Sequence, residues 1–169
     1  MAVIRSTRAT VACGITPTMA VNNGIFSLSA GGVIVGASTR LFPNGSGAGQ
    51  VNKMWIAEGS MANGATASIN LKSLTYPDGP SMAFTTVLGL VIVNNASEGP
   101  LSLTIGGGST PFITNAILPP LQQGSVFQMV AGLVDTVGFP VTSITNLIQL
   151  VCGTESAGMM DYQIAVIGQ

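Results

Sequence analysis

Apolar and polar residues alternate along this chain in short runs, and turn-forming residues separate the runs. In Leu101-Ser102-Leu103-Thr104-Ile105 and in Ala67-Ser68-Ile69-Asn70-Leu71 the apolar residues fall on every second position. A strand points successive side chains to opposite faces, so this period predicts half-buried β-strands. Near the end, Tyr162, Ile164 and Val166 share one face, and Gln163, Ala165 and Ile167 share the other. A strand that is apolar on both faces is expected to be central or covered. The run Val87-Leu88-Gly89-Leu90-Val91-Ile92-Val93, closed by Asn94-Asn95, predicts a buried strand. Asn22-Asn23-Gly24, Asn63-Gly64, Pro77-Asp78-Gly79-Pro80, Ser97-Glu98-Gly99-Pro100, Gly106-Gly107-Gly108 and Pro119-Pro120 supply turns between the runs.

The strands predicted in this way cover 9–21, 24–29, 32–36, 51–57, 65–71, 84–94, 100–105, 111–117, 125–130, 147–152 and 160–167. Helix is scarce, because 22 glycines and 9 prolines are spread through the chain. One window is ambiguous: Val141, Ile144, Leu147 and Ile148 have helical spacing and would suit a single helical turn. Many short strands at this spacing predict an all-β fold, an antiparallel β-sandwich of jelly-roll type. The segment Pro43-Asn44-Gly45-Ser46-Gly47-Ala48-Gly49-Gln50 is the best candidate for a flexible boundary. It divides an extended N-terminal arm, residues 1–45, from a sandwich domain, residues 46–169. The arm is expected to add strands to the sandwich or to a neighbouring subunit, because runs such as Val11 to Val21 are too apolar for free sheet edges.

Composition changes this picture from a soluble monomer to a subunit. Only 7% of the residues are charged and 47% are hydrophobic, against about a quarter charged in ordinary domains. Lysine and glutamate usually cover a domain's surface. Here small polar residues must do so, or partner subunits must hide it, and obligate interfaces resemble a core cut in half. The expected partner is the chain itself, as a homo-oligomer (a trimer among the options), and its assembly should tolerate high salt. The net charge is −1 and the basic residues Arg5, Arg8, Arg40, Lys53 and Lys72 form no cluster. Nucleic-acid binding is therefore not expected. Arg5 and Arg8 either touch something anionic or belong to a solvated terminus. No apolar run approaches the ~20 residues of a spanning helix, so no membrane partner is expected. Met1 to Thr10 hold two arginines and no apolar run follows, which predicts synthesis in a cytoplasm without general secretory export. Cys13 and Cys152 match no metal-site spacing. They read as free core thiols, or as a bridge if the first and last strands are neighbours.

Candidate chemistry is sparse. The chain contains no histidine, so no serine has the usual base to activate it, and neither Lys53 nor Lys72 sits in a Ser-x-x-Lys pattern. A carboxylate pair for glycoside hydrolysis would come from Glu58, Asp78, Glu98, Asp135, Glu155 and Asp161. Most of these read as solvated turn or strand-end residues, Asp78, Glu98 and Glu155 most clearly. Ile105-Gly106-Gly107-Gly108-Ser109 lacks the following helix that a phosphate loop needs, and reads as a turn. Asn44-Gly45-Ser46 and Asn95-Ala96-Ser97 fit the glycosylation sequon, which has no meaning without secretion. Trp55 reads as a core or interface residue, the alternative being a sugar-stacking platform. Methionines such as Met54, Met61, Met82, Met129, Met159 and Met160 suit adaptable apolar contacts, with Met159-Met160 an interface candidate. No catalytic, cofactor-binding or metal-ligating residue is expected, no cofactor and no small-molecule substrate; the chain reads as non-enzymatic.

From Trp55 onward the sequence is similar to small proteins encoded among the structural genes of tailed bacteriophages. The resemblance rests on Trp55 followed by small polar residues, Asn70-Leu71, Leu74, Leu90-Val91-Ile92 and Gly106-Gly107. It continues through Leu118-Pro119-Pro120-Leu121, Gly124-Ser125-Val126-Phe127, Gly138-Phe139-Pro140-Val141-Thr142 and the ending Tyr162 to Gly168. Residues 1–50 fall outside it, and this chain is less acidic than the family pattern. The resemblance implies a virion component, made in the host cytoplasm. The function expected from it is a head decoration (cement) protein, with a major capsid protein as second partner. A self-assembling coat, tube or tail protein and a carbohydrate- or receptor-binding tip domain are the alternatives.

Overall fold

The computed structural model describes residues 9–13, 18–22, 27–31, 38–75, 81–96, 101–113, 119–131, 138–155 and 157–169. Among these, every regular element is a β-strand and every named strand pairing is antiparallel. The strands are β1 (Ala9–Cys13), β2 (Thr18–Asn22), β3 (Ser27–Gly31), β4 (Ser38–Phe42), β5 (Lys53–Ala62), β6 (Thr66–Asn70) and β7 (Leu74–Thr75). They continue with β8 (Ser81–Met82), β9 (Thr86–Asn94), β10 (Leu103–Ile105), β11 (Val126–Val130), β12 (Phe139–Pro140), β13 (Leu147–Cys152) and β14 (Met159–Gly168).

One sheet has the order β11-β9-β14-β5, with β12 also paired to β9. The second has the order β10-β13-β6, and Leu121 extends it by an antiparallel bridge to Leu103. In chain order β5, β9, β11 and β14 fall in the first sheet, and β6, β10, the Leu121 segment and β13 in the second. β12 adds to the first sheet beside β11, and the chain thus crosses between sheets after β5, β6, β9, the Leu121 segment, β12 and β13. That order is the jelly roll, two four-position sheets wrapped from antiparallel pairs.

Alternation explains the two layers. Trp55, Ala57 and Met61 of β5, Leu90 and Ile92 of β9, and Met160, Ile164 and Val166 of β14 meet one hydrophobic core. The second sheet meets the same core with Ile69, Leu103, Ile105, Ile148, Leu150 and Cys152. β14 lies between β5 and β9, the central position that its two apolar faces predict. Gly59 stands opposite Tyr162, and a Cβ there would lie 2.6 Å from the tyrosine Cζ. The missing side chain lets the ring lie across β5, a recurrent pairing of aromatic and glycine in sheets.

One buried amide ties the layers at the end of β9. Asn94 is fully buried, and its Nδ2 donates to the carbonyls of Leu101 and Leu121, both at 2.8 Å. Its Oδ1 accepts from the Ala96 N–H at 3.0 Å. A buried polar group persists only when its bonds are made, and these bonds clamp the crossing from the first sheet to the second.

Several boundaries differ from the sequence expectation. β5 runs on through Glu58, Gly59 and Ser60, where polarity and glycine suggest a stop at 57. The window 141–150 holds no helix. Thr142 and Thr145 form a side-chain-bonded turn, Oγ1 to Oγ1 2.7 Å, and β13 begins at Leu147. β13 pairs on both sides, so sheet bonds override the helical spacing. Phe112 makes a backbone bond to Leu147 of 2.6 Å and Pro111 bridges it, but 111–113 is not a strand. Strand β4 lies where no strand is expected. The expected strand at 32–36, residues 114–117 of the one expected at 111–117, and the interval 14–17 between β1 and β2 lie outside the described residues.

In the N-terminal region β1 pairs β4 and β2 pairs β3, the second pair nested within the sequence span of the first. Phe42, which sequence assigns to the arm, is buried in a small cluster with Val51, Leu88, Ala131 and Ile167. A register irregularity at Ile167/Gly168 explains that cluster. A bulge changes which face the next residue takes, so Val87 enters the main core while Leu88 joins Phe42.

Candidate interaction surface

The outer face of the β11-β9-β14-β5 sheet is built from the positions that alternate with the core residues. The pairing registers align them in rows across four strands. One row is Met54, Ile167, Gly89 and Val130; the next is Ile56, Ala165, Val91 and Gln128. The third is Glu58, Gln163, Val93 and Val126, and beyond it Ser60 stands opposite Asp161. The face therefore grades from apolar to acidic along the strands.

The apolar end is closed by the cluster around Phe42 and Val51. Gln169 fastens the turn above that cluster, its Nε2 donating to the Gly47 carbonyl at 2.6 Å and to the Gln50 carbonyl at 2.8 Å. The middle is open: Ile56 is 57% exposed, Val126 55% and Met54 41%. A groove of about 400 Å³ runs there, lined by Ile56, Val91, Val93 and Ala165 among others. A second depression of about 410 Å³ adjoins it and is lined by Glu58, Ser60, Asn95, Asp161 and Gln163. Among the described residues the exposed large hydrophobics are Met54, Ile56, Val126, Ile144 and Met159, all aliphatic. Such a surface can bury apolar area against a protein; it offers no aromatic plane on which a sugar would stack.

The residues singled out from sequence take defined places. Trp55 is half-buried and packs on the core side of β5. Met160 is fully buried, whereas Met159 is exposed. Glu58 and Asp161 are brought to one depression of the outer face, although 103 positions separate them in sequence. Glu155 is not a free turn residue. Its carboxylate accepts from the hydroxyl and, at 3.4 Å, from the N–H of buried Ser102. The Ser102 hydroxyl first, then the backbone N–H groups of Glu155 and Ser102, hold that carboxyl below the usual carboxylate range. Cys152 is a free, buried core thiol, while Cys13 lies in β1, opposite Ser38. Gly106, Gly107 and Gly108 all have positive φ, and the described residues that follow directly, 109–113, form no helix. Asn44 and Asn95 are exposed. Arg5, Arg8, Asp78, Glu98 and Asp135 lie outside the described residues.

The outer positions Ile56, Val91, Val93 and Val126 were not separable from core positions by sequence. Their signal is the presence of apolar residues on both faces of β9 and β14. It says that both faces are covered without saying by what. Among the described residues no group of three or more His, Cys, Asp or Glu side chains could hold a metal ion. No helix among them is long and apolar enough to cross a membrane. The chain matches no protein-family model and no curated protein.

Proposed function

We propose that this chain is a non-enzymatic virion structural protein, a head decoration (cement) subunit that assembles with copies of itself on a capsid lattice. The observation that carries the reading is the open aliphatic face of the β11-β9-β14-β5 sheet, on a chain with 7% charged residues. A monomer gains nothing from displaying Ile56 and Val126 to water; a subunit buries them at ~25 cal/mol per Å² of apolar area. The jelly roll supports the reading by analogy alone, since capsid, lectin and cupin domains share it. The core-side position of Trp55 favours protein docking over sugar binding.

Electron microscopy of the purified chain, alone and mixed with tailed-phage heads stripped of their own decoration proteins, tests this. Discrete oligomers that saturate the head lattice are expected. Tubes or filaments formed by the chain alone would replace decoration with a coat or tube role. A dispersed monomer that binds no head would remove the reading.

A further inference from the structure

We propose that the open outer face of the β11-β9-β14-β5 sheet receives the N-terminal ribbon, β1–β4 with β2–β3, of a second copy of the chain. This deepens the preceding reading and rests on its self-assembly, not on its location in a virion.

The first argument is charge. Residues 1–45 carry three arginines, Arg5, Arg8 and Arg40, and no acidic residue. All six acidic residues lie in 46–169, against two lysines. The arm is thus +3 and the remainder −4, which together make the −1 of the whole chain. Two of the acids, Glu58 and Asp161, stand at the polar end of the open face. A basic, apolar arm, with Arg40 in the ribbon itself and Arg5 and Arg8 ahead of it in sequence, matches an apolar face with an acidic end. Complementarity of this kind fixes orientation and speeds encounter more than it adds affinity.

The second argument is that the ribbon lacks a partner sheet. Among the described residues β1 pairs only with β4, and β2 only with β3. Isolated two-stranded ribbons are marginal in water and need a surface to lie on. The registers set Met19 opposite Ala30 and Val21 opposite Leu28, alternate positions that give β2–β3 an apolar row.

The third argument is continuity and reach. The ribbon leaves the sandwich at Phe42, inside the cluster that closes the apolar end of this face. In the single chain Ile56 is 57% exposed, so the middle of this face is open to an occupant. Fifteen steps separate Phe42 from Ser27, a reach of up to ~50 Å. A domain of the sandwich's size has a radius of gyration near ~14 Å. The ribbon can therefore extend onto a neighbour, and reciprocal exchange would close a ring or a dimer.

The experiment places a photocrosslinking residue, p-benzoylphenylalanine, at Ile56 in the whole chain, with a second variant probed at Val126 and a control probed at Ser68. Isotopically heavy and light copies are co-assembled, sized by light scattering, irradiated and mapped by mass spectrometry. Heavy-to-light crosslinks from 56 and 126 to peptides of 9–42, with none from 68, are expected. Crosslinks confined to one copy would overturn exchange in favour of folding back. An oligomer whose probes reach only sandwich peptides would overturn the ribbon as occupant and leave self-assembly standing. An oligomer dispersed by nuclease would assign the basic arm to nucleic acid. A monomer without intermolecular crosslinks would remove both this inference and the self-assembly beneath it.

Discussion

The two outer faces of the sandwich are made by the same rule and differ in what they show to solvent. On the β10-β13-β6 sheet the outward positions are mostly polar, Thr104, Gln149, Thr66, Ser68 and Asn70, with Leu147 and Val151 of the middle strand half-buried among them. On the β11-β9-β14-β5 sheet the outward positions include Ile56, Val91, Val93, Ala165 and Val126. Both sheets send aliphatic residues into one core, so folding alone does not require the second set. The difference teaches that exposed apolar side chains are not spread evenly over the two sheets. Met54, Ile56 and Val126 are gathered on one face, as expected where a partner completes the structure.

The largest effect should come from a change that damages both faces at once. Asn94→Ala removes the amide that holds Leu101 and Leu121 and leaves buried carbonyls without that donor. The expected loss is about 3 kcal/mol of unfolding free energy, read by urea denaturation. A loss within ~0.5 kcal/mol would mean that the clamp is dispensable and the sheets are held by apolar burial alone.

A smaller change should separate the faces. Ile56→Glu should weaken self-association at least about tenfold, near 1.4 kcal/mol, with β-sheet circular dichroism retained. Ser68→Glu on the opposite face should change it by about twofold or less. Sedimentation or light scattering of the two variants side by side decides the matter, and equal effects would dissolve the distinction between the faces. The same association should survive about 1 M salt, where screening acts over ~3 Å but apolar burial is strengthened by excluded salts. A clean monomer in molar salt would show that the faces meet mainly through charge.

The smallest effect lies away from the open face. The folded-state pKa of Glu155 is depressed by Ser102. Its contribution to stability is therefore present above the ordinary carboxylate range and disappears as pH falls through the depressed value. Glu155→Gln should narrow the stability difference from the parent chain over that interval while leaving self-association unchanged. A difference that is flat with pH would show that the Ser102 contact does not favour the charged form.

Much of the sandwich was legible in the residues. The strands expected at 65–71, 84–94, 147–152 and 160–167 correspond to β6, β9, β13 and β14, and the two face sets of β14 divide as its alternation predicts, with Ile164 and Val166 in the core. Other parts were not. Glu58-Gly59-Ser60 looks like a strand end, yet β14 pairs with β5 through Gly59 because Tyr162 fills the space above it. Val141 to Leu150 has helical spacing, yet β6 and β10 recruit its second half into a sheet. Glu155 looks like a solvated turn residue, and only the fold brings it to Ser102, 53 positions earlier.

By itself the sequence determined the class of the fold, its turns and the two faces of most strands, because strand alternation and turn chemistry are local. Its lack of charge also implied a covered surface. The tertiary structure alone decided which strands lie side by side, since hydrogen-bond registers join residues far apart in the chain. That long-range pairing lines up Ile56, Ala165 and Val91, which come from three separate strands, into a single open row.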